Sequence, residues 1–266
     1  MSEKLLYQQA GHVVTLTLNA PETRNVITDR DMMDAVAEGF ERAEADQSVR
    51  CIVLTGAGKA FSSGGNLRHM KDKTSIFGGT TLDVRDGYRS GIQRMVRTVW
   101  NCEVPIIAAV NGPAFGAGCD LTAFCDIRIA STTAVFAENF VRVGIISGDG
   151  GAWVWPRQIG LSRAAEMLFT GEPIDAQTAL EWGLVSSVVE PDELMEKAYA
   201  LAERIAYNPP RQLRLSKRLL RQAMTARLDD ILELSAIYQG ACHQTDDHAE
   251  AVDALLEKRD ASFSGQ

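Results

Sequence analysis

The sequence lacks several features that would mark a specialised class of protein. Its five cysteines include no C-x-x-C pair, which favours reduced, structural thiols in a cytoplasmic compartment. The longest apolar run, "VPIIAAV" at 104–110, is far too short to cross a membrane. The N-terminal stretch has no apolar signal-peptide core, and no group of His, Cys, Asp and Glu has the spacing of a metal site. We therefore expect a cytoplasmic protein with no membrane partner and no metal.

Positive charge is also scarce. Asp and Glu number 35 against 27 Lys and Arg, which gives a net charge of −8. The one dense basic stretch, "RQLRLSKRLLRQ" at 211–222, has helical spacing and is interpreted as a solvated helix face. An acidic chain of this kind lacks the basic footprint of a nucleic-acid binder, so we predict no nucleic-acid partner.

The chain does contain alternating strand and helix patterns. Apolar and β-branched runs predict strands at 12–19, 51–58, 106–112, 126–131 and 184–189. Helical spacing of apolar residues predicts helices at 29–46, 91–105 (ending before Pro105), 161–171, 175–183 and 191–209. The pattern is typical of an α/β core over residues 1–205 followed by a helical region over 206–266.

Two local features add to this pattern. Thr28 with Asp31 resembles a capping box for the helix at 29–46. The polar, glycine-containing stretch 72–88 is interpreted as a mobile loop near a site.

Two strand-to-helix junctions have the same build: "GKAFSSGGNLRHM" at 58–70 and "NGPAFGAGCDLTAF" at 111–124. In each, small residues let a ligand approach the backbone closely, and a helix N-terminus presents free N–H groups. A single loop of this kind is most simply a turn. Two converging loops, however, could each supply one N–H to the same oxygen, which is the arrangement of an oxyanion hole.

These stretches resemble the paired motifs of the crotonase (enoyl-CoA hydratase/isomerase) superfamily. "TGAGKAFSSGGNL" resembles its first signature and "PIIAAVNGPAFGAGCDLTAFCDIRIAS" its second, while "FTGEPIDAQTALEWGLVSSVVEP" resembles a later motif. The resemblance runs from about residue 5 to about residue 260. It implies a spiral of ββα units with a helical C-terminal region that builds homotrimers or hexamers. It also implies an acyl-CoA thioester as substrate, with no separate cofactor.

The resemblance assigns roles residue by residue. The backbone N–H groups of Gly65 and Ala117 would bind the thioester oxygen. The positions that line the CoA moiety and the acyl group are Arg24, Val26, Ser63, Asn66, Leu67 and Phe140. Asn66 stands where the family usually has Asp, but Asn also caps a helix, so we expect little change in function there.

The acidic residues depart further from the family pattern. A hydratase of this family uses two Glu carboxylates; Asp120 stands at the first position and Phe140, which cannot move a proton, at the second. Water addition by that route should be impaired, since each acid or base contributes about 10²–10⁴-fold. Asp149, in "GIISGDGGAW" at 144–153, lies in the loop that lines the acyl end of the family pocket. We expect Asp149, Asp120 or both to transfer a proton through an enolate.

The loop also resembles two other branches of the superfamily. Isomerases without the second Glu can place an Asp one position earlier, at Gly148 in this chain. A branch that cleaves cyclic β-diketones carries Asp at the Asp149 position, but pairs it with a His where Phe140 stands here. The alternatives are therefore a β-diketone C–C bond hydrolase and a non-catalytic acyl-CoA binder.

Several of these residues also have a purely structural interpretation. Asp120 could be a helix N-terminal acid favoured by the dipole, and Asp149 a turn residue bonded to its own backbone. Glu138 lies two residues before Phe140, and along an extended stretch we expect it to point the opposite way, so it ranks below Asp120 and Asp149 as a candidate. Trp153 and Trp155 are expected to pack in the core.

Overall fold

A six-stranded sheet forms the centre of the molecule. The computed structural model describes residues 3–266. In chain order the strands of both sheets are β1 Leu5–Ala10, β2 Val13–Leu18, β3 Cys51–Gly56, β4 Ile106–Val110, β5 Ala114–Phe115, β6 Ile127–Ser131, β7 Val135–Ala137, β8 Ile174–Asp175 and β9 Ser187–Val189. The central sheet has the order β1-β2-β3-β4-β6-β9, and only β1 and β2 pair antiparallel. The small sheet has the order β5-β7-β8.

Twelve α-helices surround these sheets within residues 3–266. They are α1 Arg30–Ala45, α2 Leu67–Asp72, α3 Thr81–Ser90, α4 Ile92–Asn101, α5 Ala117–Ala123, α6 Gly151–Ile159, α7 Leu161–Thr170, α8 Ala176–Trp182, α9 Leu194–Ala206, α10 Pro210–Ala223, α11 Leu228–Cys242 and α12 Asp246–Glu257. Short 3₁₀ helices span Pro21–Thr23, Ser75–Phe77 and Asn139–Val143. No helix among these residues is long and apolar enough to cross a membrane.

Both faces of the central sheet are covered. Every residue of β3 and β4 is buried, as expected of parallel strands with helices on both sides. Ile52 and Leu54 pack into the larger core cluster, whereas Cys51 and Val53 point the other way, into a smaller cluster with α9. This two-sided burial explains the unbroken apolar runs in the sequence, and it confirms the predicted α/β class.

The stretch 72–88 is not the loop that we predicted. It contains a 3₁₀ turn and most of α3. The Thr80 side chain accepts from the Asp83 N–H, and the Asp83 carboxylate accepts from the Thr80 N–H. The capping box has the same T-x-x-D spacing that we used to predict one at Thr28. The pattern at Thr80 and Asp83 is visible in the sequence and predicts this helix start.

The capping box predicted at Thr28 is wrong. The N-cap of α1 is Asp29, whose side chain makes no capping bond. The Thr28 hydroxyl instead accepts the Asn66 N–H at 2.8 Å. The Thr28 hydroxyl therefore binds a residue 38 positions away instead of capping the helix that follows it.

The basic helix α10 is not a solvated face. Arg214 and Lys217 are buried, and Arg214 donates to the carbonyl oxygens of Glu44 and Asp46. Lys217 lies 2.7 Å from an Asp126 carboxylate oxygen. The basic side chains dock the C-terminal helices onto the α/β core. The boundary that we predicted at residues 205 and 206 falls at the end of α9 and stays a prediction.

Candidate active site

The two glycine-rich loops meet because they follow neighbouring parallel strands. The loop after β3 and the loop after β4 leave the same edge of the sheet. Their backbones pair: the Ser62 N–H donates to Pro113 O at 3.1 Å, and the Phe115 N–H donates to Ser62 O at 2.9 Å. A side chain on Gly64 would collide with Phe115 O. Glycine at this position is therefore a condition for the loops to converge.

The two N–H groups predicted to form the oxyanion hole lie at this junction. Ala117 is the first residue of α5, where a helix has no internal acceptor for the N–H. Across residues 3–266, no protein group accepts a hydrogen bond from the N–H of Gly65 or of Ala117. Two unpaired donors next to each other are what an oxygen ligand requires.

A cavity of about 660 Å³ opens beside these loops. Its wall contains Gly65 and every residue that we predicted to line the CoA moiety and acyl group: Arg24, Val26, Ser63, Asn66, Leu67 and Phe140. His69 also borders it, whereas Ala117 is buried behind Gly116. The Phe140 ring lies against Gly116, where an added Cβ would be 3.5 Å from the ring. The structure thus brings the predicted binding residues together around one space.

Asn25 holds part of this wall in place, and sequence reasoning missed it. Its buried side-chain amide donates to the carbonyl oxygens of Ala57 and Ala60, and its side-chain oxygen accepts the Ala20 N–H. Asn25 has a φ of 56°, a left-handed conformation that Asn tolerates better than most residues. In the sequence, Asn25 is simply a polar residue in a predicted turn, which does not indicate this role.

Asn66 caps α2 as predicted. Its side-chain oxygen accepts the N–H groups of Arg68 and His69 at 3.1 and 3.3 Å. Its side-chain amide donates to Asp29 at 2.8 Å. An Asp at this position could cap the helix but could not donate to Asp29, so the amide suits this chain's own neighbour.

Three carboxyl groups are buried close to one another, and one of them, Asp120, lies on α5 itself. Asp120 and Glu138 are fully buried, and Asp149 is 4% exposed. The indole N–H of Trp155 reaches both an Asp120 oxygen, at 3.2 Å, and a Glu138 oxygen, at 3.1 Å. Trp155 lies in the core as predicted, but its polar edge binds the acids.

Glu138 was wrongly placed away from this cluster. That expectation was wrong on two counts: residues two apart along a strand share a face, and β7 ends at Ala137, so that Glu138 begins the 3₁₀ helix at Asn139–Val143. Its ψ of 60° turns the chain. The side chain therefore points to the same interior as Asp120.

Burial raises the pKa of all three acids. For Asp120, burial is the main cause of a pKa far above the usual value, and the charge of Glu138 adds to it. Burial likewise raises the pKa of Glu138. Burial, assisted by the charge of Asp120, raises the pKa of Asp149 to about 8. The cluster can hold protons at neutral pH, which suits groups that both take and return a proton.

Asp149 faces a different space from the one beside Gly65. It borders a smaller cavity of about 310 Å³ that is also lined by Trp100, Phe124 and Trp153. Asp120 borders neither cavity and has no exposed surface. Among residues 3–266 no group of three His, Cys, Asp or Glu is arranged to hold a metal ion.

The chain resembles known proteins over nearly its whole length. The family model described as enoyl-CoA hydratase/isomerase matches residues 8–266. The chain is 36% identical to the 1,2-epoxyphenylacetyl-CoA isomerase of Escherichia coli K12 over the full length of both chains. It is 35% identical to the short-chain-enoyl-CoA hydratase of Clostridium acetobutylicum, covering 96% of this chain and 95% of that one. The crystal structure of an enoyl-CoA hydratase from Bacillus anthracis is 32% identical, with a TM-score of 0.92 over 99% of this chain and 100% of that one.

Proposed function

This chain belongs to the enoyl-CoA hydratase/isomerase family, and from that premise we propose that it transfers a proton within an enoyl-CoA thioester through an oxyanion-stabilised enolate. It is an enzyme of this family with the crotonase fold that its motifs predicted. The specific reaction and the roles of individual residues are our proposal. The observation that carries it is the buried cluster of three carboxyls beside two unpaired N–H groups.

The Gly65 and Ala117 N–H groups would bind the thioester oxygen. Removing a proton from the acyl chain places negative charge on that oxygen. Fixed N–H donors in a site shielded from water stabilise this charge without having to reorganise, typically by about 3–4 kcal/mol per donor. The cavity wall from Arg24 to Leu67 would hold the rest of the CoA thioester.

Asp120 and Asp149 would transfer the proton. A carboxyl with a raised pKa can accept a proton from one carbon and return it to another near neutral pH. Asp120 has no exposed surface, so contact with the acyl chain requires the loop at 144–150 to move when the thioester binds. Glycines with positive φ stand at both ends of this loop, Gly144 and Gly150, and permit such a movement.

Isomerisation is the favoured reaction. The motif resemblance assigns Phe140 to the position of the second hydratase carboxylate, and its ring borders the cavity without any group that can activate water. Of two relatives that match over the full length of both chains, one is named as an isomerase and the other as a hydratase, so the choice rests on Phe140.

Hydration is the second candidate, because Glu138 supplies a second carboxyl beside Asp120. Two carboxyls around one water molecule would suffice for water addition. C–C hydrolysis of a β-diketone stays as an alternative that Asp149 favours and Phe140 disfavours, and acyl-CoA binding without catalysis stays as another.

The test is to assay purified Asp120→Asn and Asp149→Asn on matched 2-enoyl-CoA and 3-enoyl-CoA thioesters. We expect the catalysed proton transfer to fall by about 10²–10⁴-fold in at least one variant, with KM little changed. Asp192→Asn, an exposed acid far from the cluster, is the control. Full activity in both cluster variants would refute the proposed roles. Turnover of a cyclic diketone without CoA would favour C–C hydrolysis.

We also propose that α11 and α12 pack against other subunits in a homotrimer or hexamer. Both helices carry large apolar side chains that are 41% to 80% exposed: Leu228, Leu232, Ile237, Val252, Leu255 and Leu256. Apolar surface of this extent on neighbouring helices is typical of an interface. Light scattering should give three or six times the mass of one chain, and a monomer would contradict this. We propose no cofactor beyond the CoA of the substrate.

A further inference from the structure

One indole N–H holds two acidic side chains together in the interior. Trp155 Nε1 lies 3.2 Å from Asp120 Oδ1 and 3.1 Å from Glu138 Oε1, and all three side chains are fully buried. An indole has a single proton and only donates. Because it points between the two oxygens, it keeps the two carboxyls within reach of each other.

The surroundings of this pair contain donors but no cation. Within residues 3–266, the groups facing it are the Ser147 hydroxyl, the Gly151 N–H, the Cys119 thiol and the Asp149 carboxyl. Tyr88 approaches Asp149 from α3. The second oxygen of Glu138 has no hydrogen-bond donor. Two buried carboxylates with no positive partner repel each other strongly, and a shared proton removes that repulsion.

We propose that Glu138 and Trp155 are positioning residues for Asp120: the indole orients the two carboxyls, and Glu138 shares one proton with Asp120. This inference rests on the proposed role of Asp120 in proton transfer. The raised pKa of each acid, caused mainly by burial, agrees with a pair that retains a proton. Neither Glu138 nor Trp155 needs to touch the substrate.

The shared proton gives the pair a defined part in the reaction. In the resting pair, one proton lies between two carboxyls that carry one negative charge in total. Asp120 takes a proton from the acyl chain: a C–H bond breaks, its electron pair stays on the substrate as the enolate, and an O–H bond forms on Asp120. Glu138 keeps the pair's original proton. Returning the new proton to a different carbon restores the pair, so no other reactant is required.

Nuclear magnetic resonance tests the pair without any substrate. With ¹⁵N-labelled indoles the protein gives four tryptophan signals, and the signal lost in Trp155→Phe identifies Trp155. We expect this signal to shift with pH as the pair titrates, with part of the change near pH 7, since burial raises the pKa of Glu138 to about 7. In Glu138→Gln, which keeps the shape of the side chain, the titration should end at lower pH because Asp120 no longer faces a second negative charge.

The dependence of rate on pH tests the positioning role. In Glu138→Gln the alkaline limb caused by loss of the shared proton should disappear, because the glutamine has no proton to lose and the ionised Asp120 is itself the base. In Trp155→Phe the alkaline limb should move to higher pH, since a donor to the charged form is lost, and kcat should fall roughly 10- to 100-fold as the pair loses its orientation. A merely structural role would scale the rate without moving its pH dependence. Glu38→Gln, an exposed acid on α1, and Trp182→Phe, at the end of α8, are the matched controls.

The outcomes separate this inference from the proposed function. An unchanging Trp155 signal, or identical titrations in the wild type and Glu138→Gln, overturns the proton-sharing pair whatever the enzyme's reaction. If the pair titrates as expected but Asp120→Asn keeps full activity, the catalytic role of Asp120 fails, and with it the positioning role.

Discussion

Asp149 is a carboxyl in the protein interior, where the charged form of an acid is unfavourable. It is almost fully buried, and its Oδ1 has no hydrogen-bond donor among residues 3–266. The charge that raises its pKa further belongs to another acid, Asp120. A structural turn residue would satisfy both oxygens with local N–H groups, so the free oxygen favours a functional role for this residue.

Because Asp149 is buried, we expect its contribution to the free energy of unfolding of the wild type to fall as pH rises. The pKa of Asp149 is raised from 3.8 to about 8, so between these values the folded state holds a proton that the unfolded state has lost. The stabilisation is complete below pH 3.8 and is lost as pH rises through about 8. Asp149→Asn has no proton to lose. Its free energy of unfolding, relative to the wild type, should therefore increase with pH by up to about 1.4 kcal/mol per unit.

Urea unfolding followed by circular dichroism at several pH values measures this difference. Asp192→Asn, an exposed carboxyl, should show no such slope against the wild type. A constant difference between Asp149→Asn and the wild type from about pH 5 to about pH 8 would contradict the buried, proton-holding acid.

At the scale of elements, α10 packs onto the core through long charged side chains, in the place where most helices use apolar ones. Lys217 donates to Val104 O at 2.7 Å and pairs with Asp126, and Arg221 also binds Asp126. Arg221 covers the Trp100 ring at 3.6 Å. The long side chains bury their aliphatic stems and use their charged ends to satisfy buried carbonyl oxygens. The helix is therefore tied to β4 and β6 through the residues that flank them.

Lys217→Met should destabilise the protein although it is more apolar. The change leaves Val104 O without its donor and removes one of two cations from Asp126, which we expect to cost about 2–4 kcal/mol. Lys197→Met, an exposed lysine on α9, is the matched control and should stay within about 0.5 kcal/mol of the wild type. Thermal unfolding of the two variants measures the contrast, and equal midpoints would contradict the buried ion pair.

At the scale of the whole molecule, the C-terminal segment is bound to distant parts of the chain. Arg50, just before β3, donates to Ala206 O at 3.1 Å and to Phe263 O at 2.7 Å. The buried carboxylate of Asp247 accepts the N–H groups of Ser264 and Gly265 at 2.7 and 2.9 Å. These bonds hold the end of the chain on α9 and α12.

Asp247→Asn should loosen this segment. The amide keeps the shape but loses the charge that strengthens both N–H bonds, which we expect to lower the free energy of unfolding by about 1–3 kcal/mol. Carboxypeptidase should then remove the last residues faster than in the wild type. Asp253→Asn, exposed on the same helix, is the control, and an equal digestion rate in both variants would count against this contact.

Periodicity and composition alone determined the strands of the central sheet from β2 onwards, the helices α1, α4 and α7–α9, and the two glycine loops. These features are local: alternation, helical spacing and glycine at a tight approach are dictated by backbone geometry. The motif resemblance indicated the residues predicted to bind the thioester, such as Arg24, Asn66 and Phe140, which the fold gathers around one cavity.

Only the tertiary structure decided which acids meet. Glu138 joins Asp120 because the chain turns at the end of β7, and Trp155 reaches both from another helix. The basic face of α10 is buried for the same reason, because its partners lie 95 or more residues away. Sequence spacing cannot reveal such pairings, since burial and hydrogen bonding depend on the distance between residues in space. For Asp149 in "GIISGDGGAW", the burial and the oxygen without a donor support the proposed role, and neither could be derived from the stretch itself.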